Sequence, residues 1–575
     1  MQENAVDSPP IAEEQQPDVS SPEASDPPEL AFSDAATATR WVKSLPLSNV
    51  GQAYQAILDQ LRALAASQMG PRDRATIAEL IREPVAHLHT ELARRYAGKP
   101  QPLDEREAEA ADQAITLWQA LWIQYSVCLK PLLDGSTELQ GVKAKLLQRA
   151  LYVGKQLIIV HGCARRIPSA DLWQELHAYY RLAEMLDCAM ASVSDHLMPH
   201  AENLSCYSTY SHGLLLALAD PYALSVRQIE LTDRWLGQWS RKVFPYAKQR
   251  ESEGAVIVID LEATHGAVLA NSSAGTHSGS VRFGYPAKLA TSVRGRLKRL
   301  ANGATPAELQ LGDDVSTEAA VTLLKHLDMR WHHPPAAGRR QRSTAIEVSA
   351  GGTEAAYFRV GGRSFNRQDP LGRDTDPTRY LQTVGGIGDF DRRKEQAERS
   401  WPWEKWYGLC EWREATIRHQ SGGQYHWFLD QLVVVREDSQ TRLGYVSRLA
   451  VEQDGAISLS LKLWPGDPKV FAVRLVNPNG TEEAPAAAIL LAESPEEPPS
   501  LVLSPRAFVL NRVMRCDEPG PIQKFKLLHI VQRGGDFERV AFEHVDPSFQ
   551  QQLRLRDPRV GGSSRGGSER GRPAR

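Results

Sequence analysis

His419–Gln420–Ser421–Gly422–Gly423–Gln424–Tyr425 stands between a tryptophan-rich run and a series of β-patterned segments. Trp401, Trp403, Trp406 and Trp412 precede it. Two glycines after a small serine allow a sharp turn, because glycine accepts backbone angles that other residues avoid. The segments behind the turn read as strands. Leu432–Val433–Val434–Val435–Arg436 is a β-branched run, Leu443–Gly444–Tyr445–Val446–Ser447–Arg448 follows, and Ile457–Ser458–Leu459–Ser460–Leu461–Lys462–Leu463 alternates with period two. This pattern predicts a small antiparallel β domain over residues 405–476. Read from residues alone, the Ser-Gly-Gly is either a loop that touches a ligand or a tight hairpin turn with exposed arginines nearby.

The stretch resembles the Asn/Asp-x-Ser-x-Gly-Gly-Tyr signature of PilZ domains, small β-barrels that bind cyclic di-GMP. His419 stands where that family has Asn or Asp, and Gln424 where it has the second glycine. The three strand-like segments are similar to the strands that follow the signature in that family. The resemblance implies cyclic di-GMP as ligand, with His419 and Ser421 as polar contacts and Gly423 as the glycine of closest approach. It also implies an arginine pair ahead of the first strand. Arg392 and Arg393, followed by Arg399, lie upstream of Ser421 at a fitting distance and are read as that pair. Arg363 and Arg367 have the right mutual spacing but lie more than 50 residues upstream. Arg339–Arg340–Gln341–Arg342 precedes a second partial match, Glu347–Val348–Ser349–Ala350–Gly351–Gly352. That gap is too short for a standard barrel, so this match is read as coincidence or as a degenerate second barrel.

Outward from the barrel, the chain divides by pattern. Residues 1–32 form an acidic, proline-rich tail; the first 30 carry eight acidic residues, six prolines and no Lys or Arg. Such a segment buries too little apolar surface to offset its ordering entropy. Residues 33–250 show helical spacing, as in Ala53, Ile57, Leu58, Leu61 and Leu64, and again in Leu117, Leu121, Trp122, Tyr125 and Leu129. Pro84 marks a helix boundary after Glu83. Trp173–Gln174–Glu175–Leu176–His177–Ala178–Tyr179–Tyr180 resembles the opening of a tetratricopeptide helix, which points to stacked helical hairpins. Residues 251–368 read as mixed α/β, with Ala345–Val348 and Ala356–Val360 as strands about a Gly351–Gly352 turn. Residues 369–404 are a polar linker. Residues 477–550 are a β-rich extension broken by proline-rich stretches at 477–499 and 516–521. Residues 551–575 are a basic tail, with seven arginines against two acids from Arg554 onward. The fold class is α+β multidomain: an N-terminal α-helical hairpin region followed by β-rich, PilZ-like barrel domains.

Bulk properties bound the function. At 575 residues the chain holds several domains. A net charge of −3 gives no whole-protein electrostatic footprint for nucleic acid. The six cysteines form no C-x-x-C pair and fit free thiols in a reducing compartment. No apolar run reaches the roughly 20 residues of a membrane helix. The start has no basic-then-apolar leader, so the reading is cytoplasmic. No Walker loop, nucleophile elbow or His-Glu-x-x-His motif is present. Cys188, His196, His200 and Cys206 hold ligand-type side chains in a short span, but Pro199 interrupts them and no zinc spacing results. His326, His332 and His333 are a weaker cluster.

The function expected from this reading is a non-enzymatic receptor or adaptor. Its divergent barrel binds cyclic di-GMP through Arg392, Arg393, His419, Ser421 and Gly423. Its helical half docks a protein partner, without a stable nucleic-acid partner, a membrane span or a metal. The first rival is a ligand-free scaffold of the same fold. The second, of a different class, is a metal-dependent hydrolase built on the clustered histidines.

Overall fold

The structure is a computed structural model. It describes residues 29–198, 204–251, 254–271, 279–334, 343–362, 400–420, 423–438, 440–476, 481–516 and 524–545.

Apolar side chains at helical spacing build the first half. Its helices are α1 (Ala35–Lys43), α2 (Val50–Ala66), α3 (Pro71–Tyr96), α4 (Glu105–Leu133), α5 (Lys143–Cys163), α6 (Ala170–Met185), α7 (Cys206–Leu218) and α8 (Val226–Trp239). Side chains cap several of them; Asp104 and Glu107 form a reciprocal box at the start of α4, as Ser225 and Gln228 do for α8. α5 is apolar on most of its surface and packs against α4, α6 and α7. At Gly154 in α5 an added Cβ would lie 2.5 Å from Leu176, so the glycine lets α6 approach. Pro84 does not end a helix: α3 runs through it. An internal proline costs about 3 kcal/mol. Ile81, Val85 and Leu88 beside it are fully buried, and each such burial stabilises by roughly 1.5–3 kcal/mol, enough to offset the lost hydrogen bond.

The helical core continues past residue 250. β1 (Ala255–Asp260), β2 (Val268–Asn271) and β3 (Val281–Gly284) form an antiparallel sheet in the order β2-β1-β3. α9 (Ala287–Ala301) and α10 (Thr317–His332) follow. Leu289, Val293, Leu323, Leu327 and Trp331 join the same core as the first eight helices. The indole of Trp331 donates to the Leu215 carbonyl at 2.9 Å and fixes α10 on α7. This stretch is therefore not a degenerate barrel.

Two closed barrels make up the rest. The first contains β4 (Thr344–Ala350), β5 (Glu404–Cys410), β6 (Glu414–His419), β7 (Leu432–Glu437), β8 (Gln440–Val451) and β9 (Ile457–Leu463), in the order β4-β5-β6-β9-β8-β7. The expected span of 405–476 left out β4, which pairs with both β5 and β7. Between β4 and β5 lies α11 (Gly352–Arg359), where the sequence pointed to a strand at Ala356–Val360. Gly351 and Gly352 have φ of +130° and +70°, which turn the chain sharply off β4 into the helix. Thr353, Ala355, Ala356 and Tyr357 then bury one helical face.

The second barrel contains β10 (Pro468–Val476), β11 (Ala486–Leu491), β12 (Ser500–Leu503), β13 (Val513–Cys516), β14 (Lys524–Arg533) and β15 (Glu538–His544), in the order β10-β11-β12-β15-β14-β13. Adding six to each strand number of the first barrel gives this order, so the two share one connectivity. β10 lies within the span 405–476 expected for the first barrel but opens the second. β11 lies inside the stretch expected to be broken by proline. Its sequence does not alternate because both faces are buried: Ala488 faces the barrel interior, while Ile489 and Leu491 face the other barrel. Leu432, Val434, Leu443 and Trp464 of the first barrel pack there against Ile489, Leu491, Val502 and Phe537.

Candidate functional site at the seam of helices and barrel

Backbone hydrogen bonds dock the helical half on the first barrel. Gln101 and Trp427 exchange N–H···O bonds of 2.7 Å in both directions. The Ile167 N–H donates to Val451 O at 2.9 Å, and the Val451 N–H donates to Arg165 O at 2.6 Å. Arg448 in β8 reaches Asp220 at 3.1 Å and lies over the Tyr222 ring. Such main-chain pairing fixes register as a sheet ladder does, so the seam has a defined geometry.

His419 ends β6 at this seam, opposite Ile457. Its ring lies 5.0 Å from the Trp406 ring. Trp406 meets Trp427 edge-on at 5.2 Å, and Trp427 meets Tyr425 at 5.5 Å. These four side chains, with Gly423, form the barrel wall of a cavity of about 220 Å³. Gln101, Pro102, Leu103 and Arg166 close it from the helical side. Arg166 is half-buried and ion-paired with Asp112. The cavity thus brings aromatic side chains and one guanidinium together, with the Trp406 and Trp427 rings themselves almost fully buried in the barrel core.

Gly423 has a structural reason to be glycine. A Cβ there would lie 2.9 Å from Oε1 of Glu404. The Glu404 carboxylate is buried and accepts the N–H groups of Gln424, at 2.5 Å, and Tyr425, at 3.3 Å. The close approach read from the sequence is therefore to a carboxylate of the barrel itself. The two partial motifs also turn out to be parts of one barrel. Ser349, fully buried at the end of β4, shares a 3.1 Å hydrogen bond with the hydroxyl of Tyr425, which donates to Pro402 O at 2.7 Å. Burial raises the pKa of that hydroxyl. The Glu347–Gly352 match is thus no second barrel: it lies on β4 and the turn that follows.

Of the expected site residues, His419 and Gly423 line the cavity. Ser421, Arg392 and Arg393 lie outside the described residues, as do Arg399, Arg363, Arg367 and the Arg339–Arg342 cluster. Sequence reasoning missed Arg166, Glu404 and the Trp406–Trp427 pair as a wall. Trp406 was visible as part of the tryptophan-rich run ahead of the Ser-Gly-Gly stretch. Nothing near Arg166 in the sequence pointed to a barrel wall that begins, at Trp406, more than 200 residues away.

The histidines have other partners. His326 donates to Ala219 O at 2.8 Å, and His332 pairs with Asp328 at 2.7 Å. His196 stands 3.8 Å from Glu83, and His200 lies outside the described residues. Among the described residues no three His, Cys, Asp or Glu side chains are grouped to hold a metal ion, and no helix is long and apolar enough to cross a membrane.

Comparison with known proteins adds a likeness over the helical half. No curated protein matches the chain. A solved structure described as "MrkH, A novel c-di-GMP dependence transcription regulatory factor" is similar at 10% identity, covering 40% of this chain and 98% of that one. Its TM-score is 0.13, too low for the likeness to bear weight. Residues 36–245 match the family described as "Cyclic-di-GMP receptor FimW, N-terminal domain". That range spans α1 to α8 and includes Gln101 and Arg166 of the cavity wall. The helical half is therefore similar to the N-terminal domain of a cyclic-di-GMP receptor, and the two barrels that follow make the chain an α+β multidomain protein.

Proposed function

We propose that the chain is a non-enzymatic, cytoplasmic signalling receptor that binds cyclic di-GMP at the seam of its helical half and first barrel, and that the helical half docks a protein partner. The observation that carries this reading is the cavity in which His419 and Gly423 meet Arg166 and three aromatic rings. A guanine presents a π-face for stacking and an O6/N7 edge for a guanidinium. A volume of about 220 Å³ falls below the ~300–1,000 Å³ of drug-sized sites. The cavity therefore takes one base, and the rest of the dinucleotide extends outward past residues 421–422. There Ser421 supplies a polar contact, and Arg392 and Arg393 hold the second guanine or the phosphodiesters.

The strand order also admits a second source for the arginines. The resemblance implies a pair ahead of the first strand, and the first strand is β4. Arg339, Arg340 and Arg342 stand directly before Thr344. The scaffold reading also has support, because Gly423 and Ser349 both have structural partners.

Calorimetric titration of the full chain with cyclic di-GMP separates these readings. Arg392→Ala with Arg393→Ala lowers affinity at least tenfold, about 1.4 kcal/mol, while Arg339→Ala with Arg340→Ala has the smaller effect. The reverse ranking assigns the site to the residues before β4. Absence of heat from the unaltered protein at about 100 µM nucleotide, a weak-binding threshold of roughly 5 kcal/mol, leaves the ligand-free scaffold.

A further inference from the structure

α9 carries Lys288, Arg294, Arg296, Lys298 and Arg299 and no acidic residue. One face is apolar and packed: Leu289, Val293 and Leu300 belong to the helical core. The opposite face is open, with Lys288, Thr291, Arg294, Gly295, Lys298 and Arg299 exposed. Steps of three and four residues align these positions in one stripe. The ten residue steps from Lys288 to Lys298 span about 15 Å. Arg294 is paired with Asp328 at 3.0 Å. Lys288, Lys298 and Arg299 have no ion-pair partner among the described residues.

A second observation points to an anion. The Lys242 ammonium, at 2.6 Å, and the Arg296 guanidinium, at 2.5 Å, both donate to the hydroxyl oxygen of Ser292. Two cations thus converge on one neutral acceptor. Arg296 is held there by the Leu309 carbonyl at 3.2 Å and by the Trp239 ring. Burial, then the charges of Arg296 and Arg241, lower the Lys242 pKa. Beside them lies a groove of about 410 Å³ lined by Ser292, Gly295, Arg296, Arg299 and Glu308. The single carboxylate, Glu308, is engaged by the Thr305 N–H at 3.0 Å. At Gly295 an added Cβ would meet nothing within 4 Å, so a ligand can reach the helix surface. A merely solvated helix face commonly mixes both signs, and this one has a single sign.

We propose that this face of α9 is a docking surface for the phosphodiester backbone of duplex nucleic acid. The net charge of −3 conceals it, because acidic residues elsewhere balance the stripe. A row of cations along 15 Å can meet several phosphates, which recur every ~3.4 Å per strand. The stripe exposes no large apolar side chain, which an interfacial membrane helix needs in order to insert. This surface is independent of the nucleotide reading above.

Fluorescence anisotropy of a short labelled DNA duplex with the full chain tests it at ~50 and ~200 mM salt. The unaltered protein binds at the lower salt and weakens steeply at the higher. Lys298→Ala with Arg299→Ala lowers affinity roughly tenfold or more and makes the dependence of log K on log salt shallower by about two. Arg299→Gln alone gives a smaller loss in the same direction. Both variants retain the melting curve of the parent, since the side chains are exposed. Arg554→Ala with Arg556→Ala, in the basic C-terminal segment, separates that segment from α9. The proposal is overturned if the unaltered protein does not bind at the lower salt. It also fails if the segment variant loses binding while the α9 variant keeps it, or if the chain binds anionic phosphatidylglycerol vesicles but not the duplex.

Discussion

The two barrels have the same strand connectivity and different surroundings. In the first, the connection from β6 to β7 carries the Ser-Gly-Gly stretch and Trp427, whose backbone bonds to Gln101 of the helical half. In the second, the corresponding connection runs from β12 to β13. Its Phe508 N–H donates to Glu538 of the same barrel at 2.9 Å, and Val509 and Leu510 are exposed. The interiors differ as well. Trp406 and Trp427 fill the first, and Phe471 and Phe525 the second. Connectivity alone therefore makes no site. The cavity arises where one barrel meets the helices, and the other barrel packs on the first through Leu432, Val434, Leu443 and Trp464.

The largest expected effect tests that division of labour. Trp406→Ala removes a fully buried ring from the first barrel and from the cavity wall. Phe525→Ala removes a comparably buried ring from the second. Each destabilises by about 3–5 kcal/mol in chemical denaturation. Only the first abolishes cyclic di-GMP binding by the folded fraction. Loss of binding in folded Phe525→Ala protein would erase the distinction between the barrels.

A smaller effect concerns the joint between the barrels. The Asp536 carboxylate accepts the Leu432 N–H at 2.8 Å across that joint. Burial pushes its pKa up to about 6, from 3.8. A carboxyl whose pKa is raised by folding binds more protons in the folded state between those two values. Stability therefore falls as pH rises through that window, and the loss persists above it. Asp536→Asn keeps an acceptor for Leu432 and removes the charge. The variant should gain about 3 kcal/mol over the parent at neutral pH and well under 1 kcal/mol near pH 4. Melting curves across pH check this, and an equal gain at both pH values would place the effect elsewhere.

The smallest effect is expected at the seam. Arg448→Ala breaks the pair with Asp220 and the stacking on Tyr222. The pair is partly buried, so the loss is about 1–2 kcal/mol, between the values for exposed and buried ion pairs. Hydrogen exchange at Trp427 and Val451 then speeds up, and nucleotide affinity falls with it. Unchanged exchange at both residues would show that the main-chain bridges hold the seam unaided.

Much of the secondary structure was legible in the sequence. The strand over Ile457–Leu463 alternates because one face fills a barrel, and period two records that. The helices of the first half read at period 3.6 because each buries one stripe. Pro84 and β11 were misread for the same reason: burial on several sides overrides local propensity. β4 was recognised as a strand, but its barrel was not, because its partners begin at Glu404 and Leu432. A period-two pattern fixes which residues share a face and is silent on which strand lies alongside.

The same limit applies to the candidate site. By itself the sequence determined the β character of the region around His419, the helical first half and the charge of both termini. These are local properties, set by side-chain period and charge. Only the tertiary structure decided that Ser349 and Tyr425 share a hydrogen bond, that Glu404 makes Gly423 necessary, and that Arg166 closes the cavity beside His419. Each of these joins residues 19 or more positions apart, and such pairs meet only after packing has brought distant segments together.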